Sequence, residues 1–353
     1  QYLVVMLGTH DLTQRQGQVH GAEDFGECPD LFLGRLVMHA EDQRGLAVFQ
    51  LLGGGDIGLD HELLDQLVGV EAVGCHHALD QAMGEVIGCT FILRAFRDRR
   101  VEDKVLRNEG GNTVIEHRTP LGVVASITPW NFPLILLMNK LGPALITGNT
   151  MVVKPAPTTP LTTLLFGEIC AEVLPAGVVN VIADQNDLGA ALTAHPEVNK
   201  IAFTGSTATG KKVMASAAAM VKRVTLELGG NDAAIVLDDV DPKVVARKVF
   251  DGAMANAGQI CVAIKRAYVP SNMYDAFCEE IARIANEAIV DDGSKQGTTV
   301  GPIQNKMQFD KVRALLDDAK QRGKVIAGGE PLDRDGYFIP PTIVRDLPED
   351  AAL

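Results

Sequence analysis

No stretch of the 353-residue chain approaches the ~18 apolar residues that a membrane span requires, and its longest apolar patches are short pieces such as LILLM at 134–138. A soluble protein that does not enter membranes is expected. No CxxC pair occurs either. The six cysteines, at 28, 75, 89, 170, 261 and 278, are scattered, which suits a reducing compartment better than a disulfide scaffold and points to the cytoplasm. Basic charge is scarce: 32 Lys and Arg stand against 45 Asp and Glu, for a formal net charge of -13. Acidic surfaces repel phosphate backbones and anionic lipids, so neither nucleic acid nor a membrane surface is an expected partner. The opening QYLVVMLGTHD lacks the basic and apolar regions of a signal peptide, and with no Met at position 1 the chain reads as a fragment.

These scarcities are uneven along the chain. No Lys precedes Lys104, only Pro29 precedes Pro120, and six of the eight His fall at or before His77. LLGGGDIG, residues 51–58, reads as a loop on glycine content. Cys75, His76 and His77 could be proposed as a metal cluster. Adjacent ligands usually cannot all face one ion, however, and no second cluster has finger spacing, so no metal is expected and a solvated His pair is the reading. Residues 1–111 are left as an unassigned, atypical segment, for whose first ~100 residues a wrong reading frame or a foreign junction is one origin.

From about residue 119 the pattern changes. LGVVASI (121–127), NTMVVK (149–154), VVNVIA (178–183), NKIAFT (199–204) and RVTLEL (223–228) read as strands. Between them PLILLMNKLGPALI, PLTTLLFGEICAEV, DLGAALTAH and GKKVMASAAAMV carry apolar residues near helical spacing. Such alternation implies right-handed βαβ crossovers: an α/β fold with an open, doubly wound parallel sheet and ligands beyond the carboxyl ends of its strands. Residues 112–228 are expected to form one domain and 229–353 a second, incomplete one.

Between a strand and a helix stands GSTATG, Gly205 to Gly210. Glycines permit close backbone approach, and the helix that follows presents free N–H groups to an anion. The run fits seven positions of a P-loop, which would make the protein a nucleotide phosphohydrolase. The eighth fails, because Lys212 stands where a Ser or Thr hydroxyl must reach Mg²⁺. A phosphate cradle and an ordinary strand-to-helix turn both remain open. So does the nature of Cys261 in NAGQICVAIKR, whether packing residue, disulfide half or nucleophile.

Five segments taken together narrow this: ITPWNFP (127–133), VVKP (152–155), FTGST (203–207), ELGGN (227–231) and GQIC (258–261). In order and spacing they resemble the NAD(P)-dependent aldehyde dehydrogenase superfamily over residues ~112–353. The resemblance implies oxidation of an aldehyde to a carboxylic acid, with Cys261 as nucleophile, because a thiolate attacks carbonyls at neutral pH far better than a hydroxyl does. By the same resemblance the Asn131 amide and the Cys261 N–H stabilise the oxyanion, Glu227 is general base, and Lys140 serves proton relay or site geometry. NAD, with NADP also compatible, would be held by Gly205, Ser206 and Gly210 at its pyrophosphate and by Lys154 at the adenosine ribose. Ile127, Thr128, Pro129 and Trp130 would line its nicotinamide side, with Phe203 and Leu228 as further contacts. Pro157 stands where NAD-preferring relatives often place a glutamate. Phe132, Leu136, Asn139, Ile260 and Val262 fall along the implied aldehyde passage. Residues around Thr113 to His117 resemble the start of a strand pair used in assembly, which implies a homo-oligomer for the full-length relative. The chain ends at PEDAAL, before a Glu-x-Phe motif that relatives carry, so an inactive fragment acting at most as an interaction module is the alternative.

Overall fold

The computed structural model describes residues 2–7 and 79–351, and the Cys75–His77 cluster and the 51–58 loop of the sequence reading lie outside the described residues. The described chain opens with strand β1 (Tyr2–Leu7) and helix α1 (Leu79–Arg97). After it come the hairpin β2 (Lys104–Glu109) and β3 (Asn112–Glu116), then β4 (Val123–Ile127), α2 (Pro133–Ile146), β5 (Thr150–Lys154), α3 (Leu161–Val173), β6 (Val179–Val181), α4 (Leu188–Ala194), β7 (Val198–Thr204), α5 (Thr207–Ala218) and β8 (Arg223–Glu227). The remaining elements are β9 (Asp232–Ile235), α6 (Pro242–Met254), β10 (Ile264–Val269), α7 (Tyr274–Glu287), α8 (Lys306–Arg322), β11 (Lys324–Ala327) and β12 (Thr342–Arg345). The chain divides into two compact units, one containing Met83–Glu227 and the other containing β1 and everything from Leu228 onward.

In the Met83–Glu227 unit, β4 to β8 form a five-stranded sheet in the order β6-β5-β4-β7-β8, and every adjacent pair is parallel. This is the doubly wound sheet that the alternating pattern implies, and observed ends lie within three residues of the predicted ones for all five strands and four helices. Parallel strands buried on both faces need continuous apolar runs. Met151, Val153 and Ile201 are accordingly fully buried, as are Leu137, Met138 and Leu141 of α2.

Helix α2 begins with Pro133, whose missing N–H is harmless in a first turn, but Phe132 at its N-cap brings no capping side chain. The cap comes from another helix. Glu85 of α1, buried, accepts from the N–H groups of Leu134 and Ile135, each at 2.9 Å. A carboxylate there satisfies two donors that no intrahelical carbonyl can reach, and it complements the positive end of the helix dipole. The approach of α1 is close: a Cβ on Gly142 would collide with the Phe96 ring, and one on Gly88 would come within 2.9 Å of Ile135.

The second unit is built on a five-stranded sheet in the order β11-β12-β1-β10-β9. Strand β1, to which the sequence reading gave no role, is its central strand and pairs antiparallel with β10 (Tyr2 with Val269) and β12 (Leu7 with Thr342). Strands β9 and β10 are parallel. Helices α6 and α7 cover this sheet through Ala246, Phe250, Phe277 and Ile281, which pack with Ala267 and Ile343.

Glu85→Ala strips both helix N–H groups of a charged acceptor and is expected to lower unfolding free energy by about 2 kcal/mol, the scale of a lost charge-assisted hydrogen bond with buried donors left behind. Urea titration followed by circular dichroism measures it, and Glu85→Gln, which keeps one acceptor oxygen, should lose less.

Candidate functional site

In a parallel sheet all strands finish along one edge, and the predicted residues of the Met83–Glu227 unit gather there. Ile127, Lys154 and Glu227 are the last residues of β4, β5 and β8. Thr128 follows β4 at once, its N–H donating to the Lys154 carbonyl at 3.1 Å, and its buried hydroxyl has no hydrogen-bond partner among the described residues. Pro129 and Trp130 are half-buried. Asn131 is buried, and its side-chain oxygen accepts from the Phe132 N–H at 3.1 Å, which sets the rotation of the amide.

The glycine turn follows β7. Gly205 N–H donates to the Glu227 carbonyl at 3.0 Å, and a Cβ on Gly205 would come within 2.6 Å of the buried Phe203 ring. Ser206 caps α5, its hydroxyl accepting from Thr209 N–H at 3.2 Å. Gly210, read from sequence as part of the anion-binding turn, lies inside the helix, where its N–H is taken by the Ser206 carbonyl at 2.8 Å. Lys211 and Lys212 are exposed on α5. Gly205 and Ser206 therefore form the turn proper. A bare backbone at Gly205, the start of a helix and the unpartnered Thr128 hydroxyl fit a dinucleotide bearing phosphates and polar edges.

Lys154 does not extend freely beyond its strand. It is buried, and its ammonium donates to Asp184 at 2.6 Å and to the Pro155 carbonyl at 3.1 Å. The other Asp184 oxygen accepts from Leu188 N–H, at the start of α4, at 3.0 Å. Burial opposes charge on Asp184, but Lys154 and the Leu188 and Asn186 N–H groups outweigh it and hold the acid below the usual carboxylate range. Pro157 is exposed and contributes no charge. Sequence reasoning missed Asp184, although its place just beyond β6, on the ligand-binding edge of an α/β sheet, could have flagged it.

Lys140 reaches the same edge from α2. Its ammonium donates to the Thr204 hydroxyl at 2.5 Å and to the Leu136 carbonyl at 3.4 Å. Burial pushes its pKa down to about 8, against the supporting charge of Glu227. Thr204, absent from the sequence reading, pairs in register with Glu227, so the hydroxyl and the carboxylate close β7 and β8 while the lysine reaches the hydroxyl from the middle of α2. Glu227 itself is exposed, Phe132 and Leu136 are half-buried, and Asn139 is exposed.

The cysteine lies in the other unit. Asn256, Ala257 and Gly258 after α6 all have left-handed backbone, with φ of 50°, 54° and 74°. Two of them are not glycine, so this run is strained, and such strain survives only where surroundings enforce it. Gln259 supplies part of that enforcement: its side chain donates to the Asn256 and Pro302 carbonyls at 3.1 and 3.3 Å and accepts from Gln304 N–H at 2.9 Å. Ile260, Cys261 and Val262 then turn the chain into β10, the turn closed by Ala263 N–H on the Ile260 carbonyl at 3.2 Å. Gly230 of ELGGN reaches this turn, since a Cβ there would lie 3.1 Å from the Cys261 carbonyl oxygen. Leu228, at the start of that segment, is half-buried.

Four cysteines are among the described residues, and none is in a disulfide. Cys89, Cys170 and Cys278 are buried, and burial pushes the Cys170 and Cys278 thiols up to about 12 and about 11. Cys261 is partly exposed, with Val262 beside it 67 % exposed, so solutes reach this thiol and not the other three. Among the described residues no group of three or more His, Cys, Asp and Glu could hold a metal ion.

Comparison with known proteins places the chain. The family model described as "Aldehyde dehydrogenase family" matches residues 61–353, reaching back through α1 to about fifty residues before the point where the sequence resemblance begins. A "Probable aldehyde dehydrogenase" from Pseudomonas sp is 45% identical over 236 residues, 67% of this chain and 48% of its own length. The mitochondrial succinate-semialdehyde dehydrogenase of Arabidopsis thaliana is 40% identical over 298 residues, 83% of this chain and 56% of its own. The chain thus spans about half the length of these curated relatives. Among solved structures, that of PnpE in complex with nicotinamide adenine dinucleotide superposes with a TM-score of 0.80 at 34% identity, over 88% of this chain and 65% of that one. With the model covering residues 61–353 and these identities, the chain belongs to the aldehyde dehydrogenase family.

Proposed function

We propose that this chain carries out its family's oxidation of an aldehyde to a carboxylic acid through covalent catalysis at Cys261. The thiolate adds to the carbonyl carbon, giving a thiohemiacetal whose alkoxide accepts hydrogen bonds from the Asn131 amide and the Cys261 N–H. NAD(P)⁺, when bound, supplies the two-electron acceptor that turns this adduct into a thioester. Glu227 then takes a proton from water as the water's oxygen attacks the thioester carbon. The C–S bond breaks, and the acid leaves with Cys261 restored. The observation that carries this reading is the contrast among the described cysteines: one accessible thiol in a strained, braced turn, against three buried ones.

Gly205, Ser206, Lys154 and Thr128 would hold the dinucleotide, with Ile127, Pro129, Trp130, Phe203 and Leu228 around it. Asp184 supports NAD over NADP: its carboxylate on Lys154 neutralises the cation that a 2′-phosphate would seek and repels that phosphate. Phe132, Leu136, Asn139, Ile260 and Val262 would border the aldehyde passage. A homo-oligomer is supported by the β2–β3 hairpin, which exposes Val105, Leu106, Val114 and Ile115.

Cys261→Ala is expected to abolish formation of reduced nicotinamide, followed by absorbance over a panel of aldehydes, and Glu227→Gln to allow one burst followed by slow turnover; full activity without the sulfur would contradict the reading. Asp184→Asn should narrow the NAD-to-NADP affinity ratio roughly tenfold, the scale of one close charge, as measured by quenching of Trp130, the single tryptophan. Lys140 is cationic below and neutral above about pH 8. A proton relay through it gains as pH rises through that value, so steady-state kcat should climb there in the unmodified protein and lose that step in Lys140→Met.

A further inference from the structure

Strand β10 alternates half-buried and buried side chains, and its buried positions are Lys265, Ala267 and Val269. Two of these are apolar, as a strand packed on a core requires. The third is an ammonium group only 3 % exposed. Burying such a charge is costly unless it is hydrogen-bonded, and here the bonds are made to the cysteine turn. Lys265 Nζ donates to the Gly258 carbonyl at 3.0 Å and to the Ala263 carbonyl at 3.4 Å. These two carbonyls bracket Cys261, one at the end of the left-handed run and the other at the entry to β10. The charged and titratable groups whose fields act on this ammonium are Asp232, which pairs across to β10 from β9, and Cys261 itself. Burial lowers its pKa to about 8, and both neighbours oppose that fall, so the group carries its charge at neutral pH.

We propose that Lys265 is a positioning residue for the Cys261 nucleophile, its ammonium clasping the two carbonyls that flank the turn. The inference rests on Cys261 being the reactive thiol, and it deepens that reading by naming what readies the thiol before substrate arrives. Charge-assisted bonds to both carbonyls fix the turn, and a fixed turn holds that sulfur in one place. As pH rises through about 8 Lys265 loses its proton, so the help it gives is greatest below that value.

The test is alkylation of Cys261 by iodoacetamide between pH 6 and 9.5, the modified residue located by peptide mass. Lys265→Gln keeps N–H donors for the two carbonyls but removes the charge. It should slow labelling at pH 7 roughly tenfold, the scale of a lost charge-assisted hydrogen bond, and remove the part of the profile that follows Lys265 near pH 8. Lys265→Arg should stay near the unmodified protein, and Lys265→Met should show the largest loss. Thermal melts establish which variants fold, and should Lys265→Met not fold, the Gln variant decides. Superimposable profiles for the unmodified protein and Lys265→Gln would overturn the proposal while leaving Cys261 as nucleophile. Labelling of the unmodified protein at other cysteines in preference to Cys261 would overturn both.

Discussion

Helical crossovers carry the chain back so that every strand of the Met83–Glu227 sheet points the same way, and the layout of that unit's site residues follows from this constraint. Ile127, Lys154, Thr204 and Glu227 are far apart in sequence, yet each closes a strand, so a shared direction sets them along one edge. The edge is also where backbone N–H groups open at the starts of α4 and α5. Asp184 and Ser206 use those helix starts in opposite ways: the carboxylate is consumed by Leu188 and Lys154, while the hydroxyl only caps its own helix and leaves the Gly205 turn bare. One geometric rule thus yields both a charged, filled corner and an open one.

The strands and helices between residues 121 and 221 could be read from the sequence because period and punctuation agree there: β-branched runs end in Gly or Pro, and apolar residues then recur at helical spacing. The motif residues were legible for a similar reason, as short ordered segments rather than single side chains. What escaped was held by long-range contact. Nothing near Glu85 announces that it caps a helix 49 residues away, and its helix falls in the stretch whose composition gave no pattern. Lys265 reads locally as part of a basic run, and only the pleat shows that it points inward. Gly210 shows the opposite case, a glycine in a glycine-rich run that lies inside a helix with its N–H taken by the Ser206 carbonyl.

Strain and bracing are paired around Cys261. Left-handed conformations at Asn256 and Ala257 would relax in an isolated peptide, and the Gln259 amide and Lys265 ammonium bind the carbonyls that this backbone turns inward. The same stretch therefore spends conformational stability to hold a turn in which one sulfur is reachable, while Cys170 and Cys278, in ordinary helices, are shielded by their neighbours.

Strand β1 occupies the middle of its sheet, between partners that lie near Val269 on one side and Thr342 on the other. Strand β1 therefore cannot take its slot until residues as distant in sequence as Val269 and Thr342 have been made. Closing so large a loop is slow, and until it closes β10 and β12 each present an unsatisfied edge. This sheet completes itself late, by joining segments distant in sequence, whereas the parallel sheet can assemble strand by strand as it emerges.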